Sequence, residues 1–314
     1  MLAFVLYLLV GRYPKPGFTN PLSFFEDSLA LRILLSVRLP RAVGAVLLGA
    51  VLGGAGAAFQ TVFGNPLVEP GFLGVSQGAA LGAALAMVLG AADPNLVALS
   101  AFVAALAALR LSLVLAARFR FGGQVLRLVL AGIAVSAFCA AALSFVKYAA
   151  DPLSQLPDIT FWTMGGLSAM GWNRLAAAAP IAIISLISLF ALRWRATILS
   201  LDDEASRALG ARPELERGAI IVAATAGVAA MTAVSGIVSW VGLVVPHLAR
   251  VTAGPDGRSS IPASMAVGAL FVLACDAISR TALPGELPLG IPTALLGAAA
   301  FVALLASRRT GIPR

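Results

Sequence analysis

The chain has 314 residues, 60% hydrophobic and 11% charged, with a net charge of +8 and a mean hydropathy of +0.96. Soluble domains average roughly 25% charged residues, so a water-exposed surface of this size could not be covered, and the chain reads as an integral membrane protein. Its apolar runs lack the short apolar–polar alternation of an outer-membrane barrel, and its basic residues flank membrane segments, so no nucleic-acid partner is expected.

Ten apolar segments follow in chain order, at about 1–11, 41–63, 72–91, 95–117, 124–149, 175–193, 215–234, 238–251, 261–280 and 288–307. About 20 helical residues cross roughly 30 Å of hydrocarbon, so the expected fold is all-α: a polytopic transmembrane helical bundle in one domain over residues 1–314. Segment 1–11 is short for a crossing. Segment 238–251 is short and holds Pro246, as a half-helix buried by its neighbours would. The "GGAG" at 53–56 reads as a helix-packing face. "MLAFVLYLLV" has no basic leader region, so no removable signal peptide is expected. Cys139 and Cys275 lie in different segments and read as small buried hydrophobes. His247 is the one histidine, and no metal site is expected.

With both termini cytoplasmic, 13 lysines and arginines fall inside and 8 outside, the bias that membrane insertion favours. Five of the outer ones, Arg12, Lys15, Arg32, Arg38 and Arg41, cluster in the loop before the second segment. The outer loop 150–173 carries Trp162 and Trp172, suited to a membrane interface. In the inner loop, "LSLDDEASRALG" can form a short amphipathic helix with Asp202 and Asp203 at its start and Gly210 at its end.

No GxxxxGK[ST] phosphate loop, HExxH or nucleophile elbow occurs, and no enzymatic activity is expected of the chain alone. Ionisable candidates within the membrane are few: Lys147, Asp276 and Arg110, with Arg280 one turn from Asp276 as an internal ion pair. Polar chemistry gathers instead at the loops, above all in "NPLVEPGFLGVSQG" at 65–78. That pattern suits a passive pore worked by outside partners. A secondary carrier relying on Asp276 and a non-transporting scaffold stay open as alternatives.

The stretch "RLPRAVGAVLLGAVLGGAGAAFQTVFGNPLVEPGFLGVSQGAALGA" resembles the hallmark region of the FecCD-type permeases, the membrane subunits of ABC importers for iron–siderophore complexes, haem and cobalamin. "WTMGG" at 162–166, "LDDEASRALG" at 201–210, "SGIVSWVGLVVPHLAR" at 235–250 and the tail from Asp276 match in the same order. The resemblance implies ten transmembrane helices per subunit and a homodimer with the translocation path on its axis. It also implies two cytoplasmic ATPase subunits holding ATP and Mg2+, a periplasmic or lipid-anchored binding protein, and the cytoplasmic membrane of a prokaryote. No cofactor is expected on this chain itself.

Carried onto this sequence, the resemblance makes 201–210 the coupling helix that meets the ATPase, through Asp202, Asp203, Glu204, Ala205, Arg207, Leu209 and Gly210. Asn65 and Pro66 belong to a cytoplasmic gate. Val125 and Leu126 stand at a second gate loop, where the cobalamin-importing relative carries Thr-Ser. Arg38, Arg41 and Arg280 match arginines offered to glutamates of the binding protein; a guanidinium fork suits a carboxylate bidentately. The cargo implied is an iron chelate, haem included, with cobalamin the close alternative.

Overall fold

The computed structural model describes residues 2–13, 17–21, 24, 27–91, 93–283 and 285–306. Lys15 lies outside them.

Ten helices take up the ten expected segments: α1 (Leu2–Leu9), α2 (Ser28–Val62), α3 (Val75–Val88), α4 (Pro94–Arg118), α5 (Gln124–Ala149), α7 (Trp172–Ile198), α9 (Pro213–Ser235), α10 (Val241–Ala253), α11 (Gly257–Thr281) and α12 (Gly290–Ala306). Six of them, α2, α4, α5, α7, α9 and α11, are long and apolar enough to cross a bilayer. Two shorter helices lie between them, α6 (Gln155–Met164) and α8 (Asp203–Ala208). They mark opposite ends of the bundle, called here the α6 end and the α8 end. A two-residue antiparallel pairing, β1 (Val10–Gly11) with β2 (Gly17–Phe18), follows α1.

The centre of the bundle is α2, whose small residues let other backbones touch it. A Cβ on Gly49 would stand 2.1 Å from Gly268 O of α11, and one on Gly268 would stand 2.1 Å from Gly49 O. A Cβ on Gly53 would meet Ser264 O at 2.2 Å, and one on Gly56 would meet Gly242 O of α10 at 2.0 Å. The packing face expected of "GGAG" is therefore present, and it extends a turn upstream. Backbone contact of this kind maximises dispersion where lipid supplies no hydrophobic drive between helices.

Three elements depart from expectation. The second segment begins not at 41 but at Ser28: Asp27 caps the helix by accepting from Leu29 N at 2.8 Å, and a π-helical turn, Leu34–Arg38, carries it into the long span. Arg32, Arg38 and Arg41 thus stand on a helix rather than in a loop. The third segment begins at Val75 because the 3-10 turn Pro70–Leu73 ends in Gly74 at φ +85, a conformation glycine adopts without steric cost. The outer loop contains α6, unread in the sequence. Segment 238–251 is the expected half-helix: α10 starts after Trp240, held at φ +72, and seven of its thirteen residues are buried.

Candidate functional sites at the two ends of the bundle

At the α8 end, the sequence "LDD" places a carboxylate where a helix needs one. Asp202 Oδ1 accepts from Ala205 N at 2.7 Å, satisfying an otherwise orphaned donor of α8. The helix is shorter than the expected 201–210, with turns on either side closed by Gly210 at φ +78. Ser206, on its buried face, donates to Ile198 O at 2.9 Å and ties α8 back to α7. Its other face is open: Glu204 and Arg207 are exposed, Leu209 is 59% exposed, and Leu201 and Leu215 flank it. Asp203 accepts from Arg217 Nη2 at 3.1 Å. The same guanidinium donates through Nη1 to Gln124 Oε1, 2.9 Å away on the first residue of α5.

The candidate gate residues lie at this end on separate elements. Asn65 is exposed and closes its own turn, Oδ1 accepting from Leu67 N at 2.9 Å. Pro66 O lies 3.0 Å from His247 Nε2, which pins the turn to α10. Gln60 adds a second tie, donating to Leu243 O at 3.1 Å. Val125 is half-buried and Leu126 exposed, both in the first turn of α5 beside Gln124.

Beyond this turn, a chamber of about 310 Å³ opens inside the bundle, lined by Glu69, Ser76, Gln77, Ser136, Thr232 and Ser239 among others. Among the described residues the Glu69 carboxylate has no side-chain partner. In the sequence Glu69 falls in the polar turn 65–78 and is not among the intramembrane ionisable candidates named above. The signal was there: a carboxylate nine residues after Gln60, between two apolar runs. A polar turn at this depth is tolerated because it lines a cavity.

The α6 end holds a buried ion network. Asp276, fully buried, accepts from Arg41 Nε at 3.0 Å and Arg41 Nη2 at 2.9 Å, and from the Tyr7 hydroxyl. Arg280 Nε lies 3.5 Å from the same carboxylate, and its guanidinium sits 4.1 Å over the Tyr7 ring. Arg41 Nη1 reaches Glu286 at 2.8 Å, on the segment before α12. Arg38 donates to Leu8 O at 2.9 Å and Tyr13 O at 2.7 Å. The three arginines expected to face a partner are therefore 4%, 4% and 7% exposed, turned to acceptors of their own chain. The reason is that α1 and Asp276, remote in sequence, supply those acceptors first. The ion pair expected of Asp276 and Arg280 is present, with Arg41 as the stronger partner. Both Asp276 oxygens are engaged, which leaves it ill-suited to bind and release a coupling ion.

Beside the network lies a cavity of about 470 Å³, lined by Arg41, Asp158, Trp162, Arg174 and Glu286 among others. Asp158 and Glu286 are exposed and Arg174 partly so, and these are the charges this rim presents outward.

The profile of the FecCD transport family matches residues 1–307. A probable iron chelatin transport system permease protein of Helicobacter pylori is 40% identical over 273 residues, covering 87% of this chain and 82% of that protein. The vitamin B12 import system permease protein BtuC of Vibrio cholerae is 36% identical over 309 residues, covering 96% and 89%. A structure described as an inward-facing conformation of a metal-chelate type ABC transporter superposes with a TM-score of 0.90 at 32% identity, covering 98% of this chain and 96% of that one.

Proposed function

Because this chain belongs to the FecCD transport family of ABC permeases, we propose that it is the translocating subunit of an ATP-driven importer carrying a metal chelate, an iron–siderophore complex or haem, across the cytoplasmic membrane. The observation that carries this reading is α8: a capped helix bearing exposed Leu209, fixed to α7, α9 and the start of α5. Such a helix offers an adaptable surface to a partner and a stiff path into the bundle. ATP and Mg2+ belong to two copies of that partner, since the chain has no phosphate loop of its own.

The second copy of the chain would lie along α5, whose Phe138, Phe145 and Tyr148 are 68%, 72% and 91% exposed. Asn65 and Pro66, with Val125 and Leu126, would then meet their symmetry mates at the α8 end as the cytoplasmic gate. Both α1 and α12 run with their chain-terminal ends toward the α8 end, in keeping with cytoplasmic termini. A binding protein would dock on the α6 end. Of the three arginines there, Arg41 is the one that shares a nitrogen with a partly exposed acid, Glu286, so docking through Arg41 would compete with that resident pair.

The iron chelate is favoured over cobalamin because the iron chelatin relative is 40% identical where it aligns, against 36% for the vitamin B12 permease. The test is uptake into proteoliposomes holding the chain and its ATPase, with iron chelate, haem and cobalamin each presented on a binding protein. ATP-dependent entry of an iron chelate or haem supports the reading; entry of cobalamin alone would assign the second cargo.

A further inference from the structure

The α7 span is the least buried of the six long helices, and its open side is organised. Ile183, Ile187, Phe190 and Trp194 are 45%, 63%, 48% and 53% exposed. Their spacing of four, three and four residues puts them on one face over about three turns. The stripe ends at the α8 end in a recess of about 340 Å³ lined by Arg193, Trp194 and Arg258. Arg193 Cζ sits 3.8 Å over the Phe190 ring and Arg258 Cζ 5.2 Å over the Trp194 ring, so aromatic faces hold both guanidinium groups in place.

Two neighbouring charges are engaged by other groups. Arg195 turns the other way and lies 3.8 Å from Glu216 of α9. Asp256 caps α11, accepting from Thr197 Oγ1 at 2.6 Å and Arg258 N at 2.9 Å; it stays exposed and offsets part of the Arg258 charge without reaching salt-bridge distance. Among the described residues neither Arg193 nor Arg258 forms a salt bridge. The first turn of α11 packs against Thr197 and the Arg193 carbonyl, which fixes Arg258 beside α7.

We propose that this recess binds the phosphate of an anionic phospholipid headgroup between Arg193 and Arg258, with the acyl chains along the stripe from Phe190 to Ile183. Planar guanidinium groups suit phosphate oxygens; Arg193 Nη1 already donates to Phe190 O, so its remaining N–H groups and those of Arg258 would take the phosphate. Tryptophan belongs at headgroup level, and basic recesses between helices at the membrane surface select anionic lipid. A soluble phosphate would use the arginines and leave the stripe uncovered, so the lipid accounts for both features.

The test is native mass spectrometry of the full chain in detergent, titrated with phosphatidylglycerol or with phosphatidylcholine of the same acyl chains. Phosphatidylglycerol is expected to be retained about 30-fold more tightly, and R193Q/R258Q should abolish the preference while R118Q/R120Q, a charge-matched control, keeps it. If the double variant does not elute as wild type, R258Q alone, at an exposed position, should lower retention about fivefold. Equal retention of the two lipids, or a preference unchanged in R193Q/R258Q or R258Q, overturns the site. Inorganic phosphate in large excess should leave the lipid in place; displacement would assign the arginines to a soluble phosphate and overturn the lipid.

Discussion

Arg217 and Asp203 are joined at 3.1 Å across the loop that separates α8 from α9, and the guanidinium that makes this bond also grips Gln124 at the start of α5. Arg217 is 3% exposed. A push on α8 would therefore reach the turn that carries Val125 and Leu126 through one planar group rather than through slack chain.

Arg217→Lys keeps the charge and loses the fork. The expected outcome is about a tenfold fall in cargo moved per ATP hydrolysed, with ATPase activity changed less than twofold, since hydrogen bonds to charged groups are worth roughly 1.5–3 kcal/mol. Parallel uptake and ATPase assays measure the ratio. An unchanged ratio would remove Arg217 from the coupling path.

The network at the α6 end should behave as a buried one. Asp276→Asn leaves Arg41 and Arg280 facing each other without their shared carboxylate, and breaking a buried pair costs about 3–5 kcal/mol. A markedly lower melting temperature in detergent is expected. Glu286, 38% exposed at its side chain, is a different case: Glu286→Gln should cost about 0–1 kcal/mol and free Arg41 Nη1. Binding-protein affinity, read by surface plasmon resonance, is then expected to rise, and a fall would argue that Glu286 itself is the docking group.

Gly49→Ala tests the contact between α2 and α11. The new Cβ meets the Gly268 backbone, which no rotamer change can relieve. Overpacking costs about 1–3 kcal/mol, with the upper end expected here. Gly64→Ala, where nothing lies within 4 Å but φ is +59, should cost only about 1 kcal/mol, from backbone strain. Melting temperatures of the two variants decide the order.

Asp256, outside the spans at the cap of α11, is held below the usual aspartate range, first by the Thr197 hydroxyl and then by the Arg258 N–H. A depressed carboxylate adds stability that is complete above its unfolded pKa and lost as pH falls through its folded one. Wild type should therefore lose melting temperature progressively below about pH 4. Thr197→Val should start lower at neutral pH and lose less on acidification. Parallel curves for the two would contradict the assignment.

Hydropathy and helix breakers together place the ten segments, because a bilayer demands long apolar runs and tolerates few charges; for α5 the expected and observed bounds coincide. The start of α2 was hidden because Arg32, Arg38 and Arg41 looked like loop charges, although the apolar residues between them continue the helix. Pro157 and the turn residues of the outer loop concealed α6. The fate of the arginines was not legible at all: Arg41 finds Asp276 across 235 residues, and no local pattern reports such a partner. In α8 the reverse held, since Asp202, Ala205 and Gly210 are near neighbours and state their cap and turn directly.

If ATP drives transport through this chain, the force enters at α8. The most direct measurement is cargo uptake by proteoliposomes holding the chain and its ATPase, with and without internal ATP, for wild type and for Leu209→Asp. Uptake that requires ATP and collapses in the variant is the predicted result. Uptake that proceeds without ATP down an ion gradient, and is indifferent to Leu209, would contradict it.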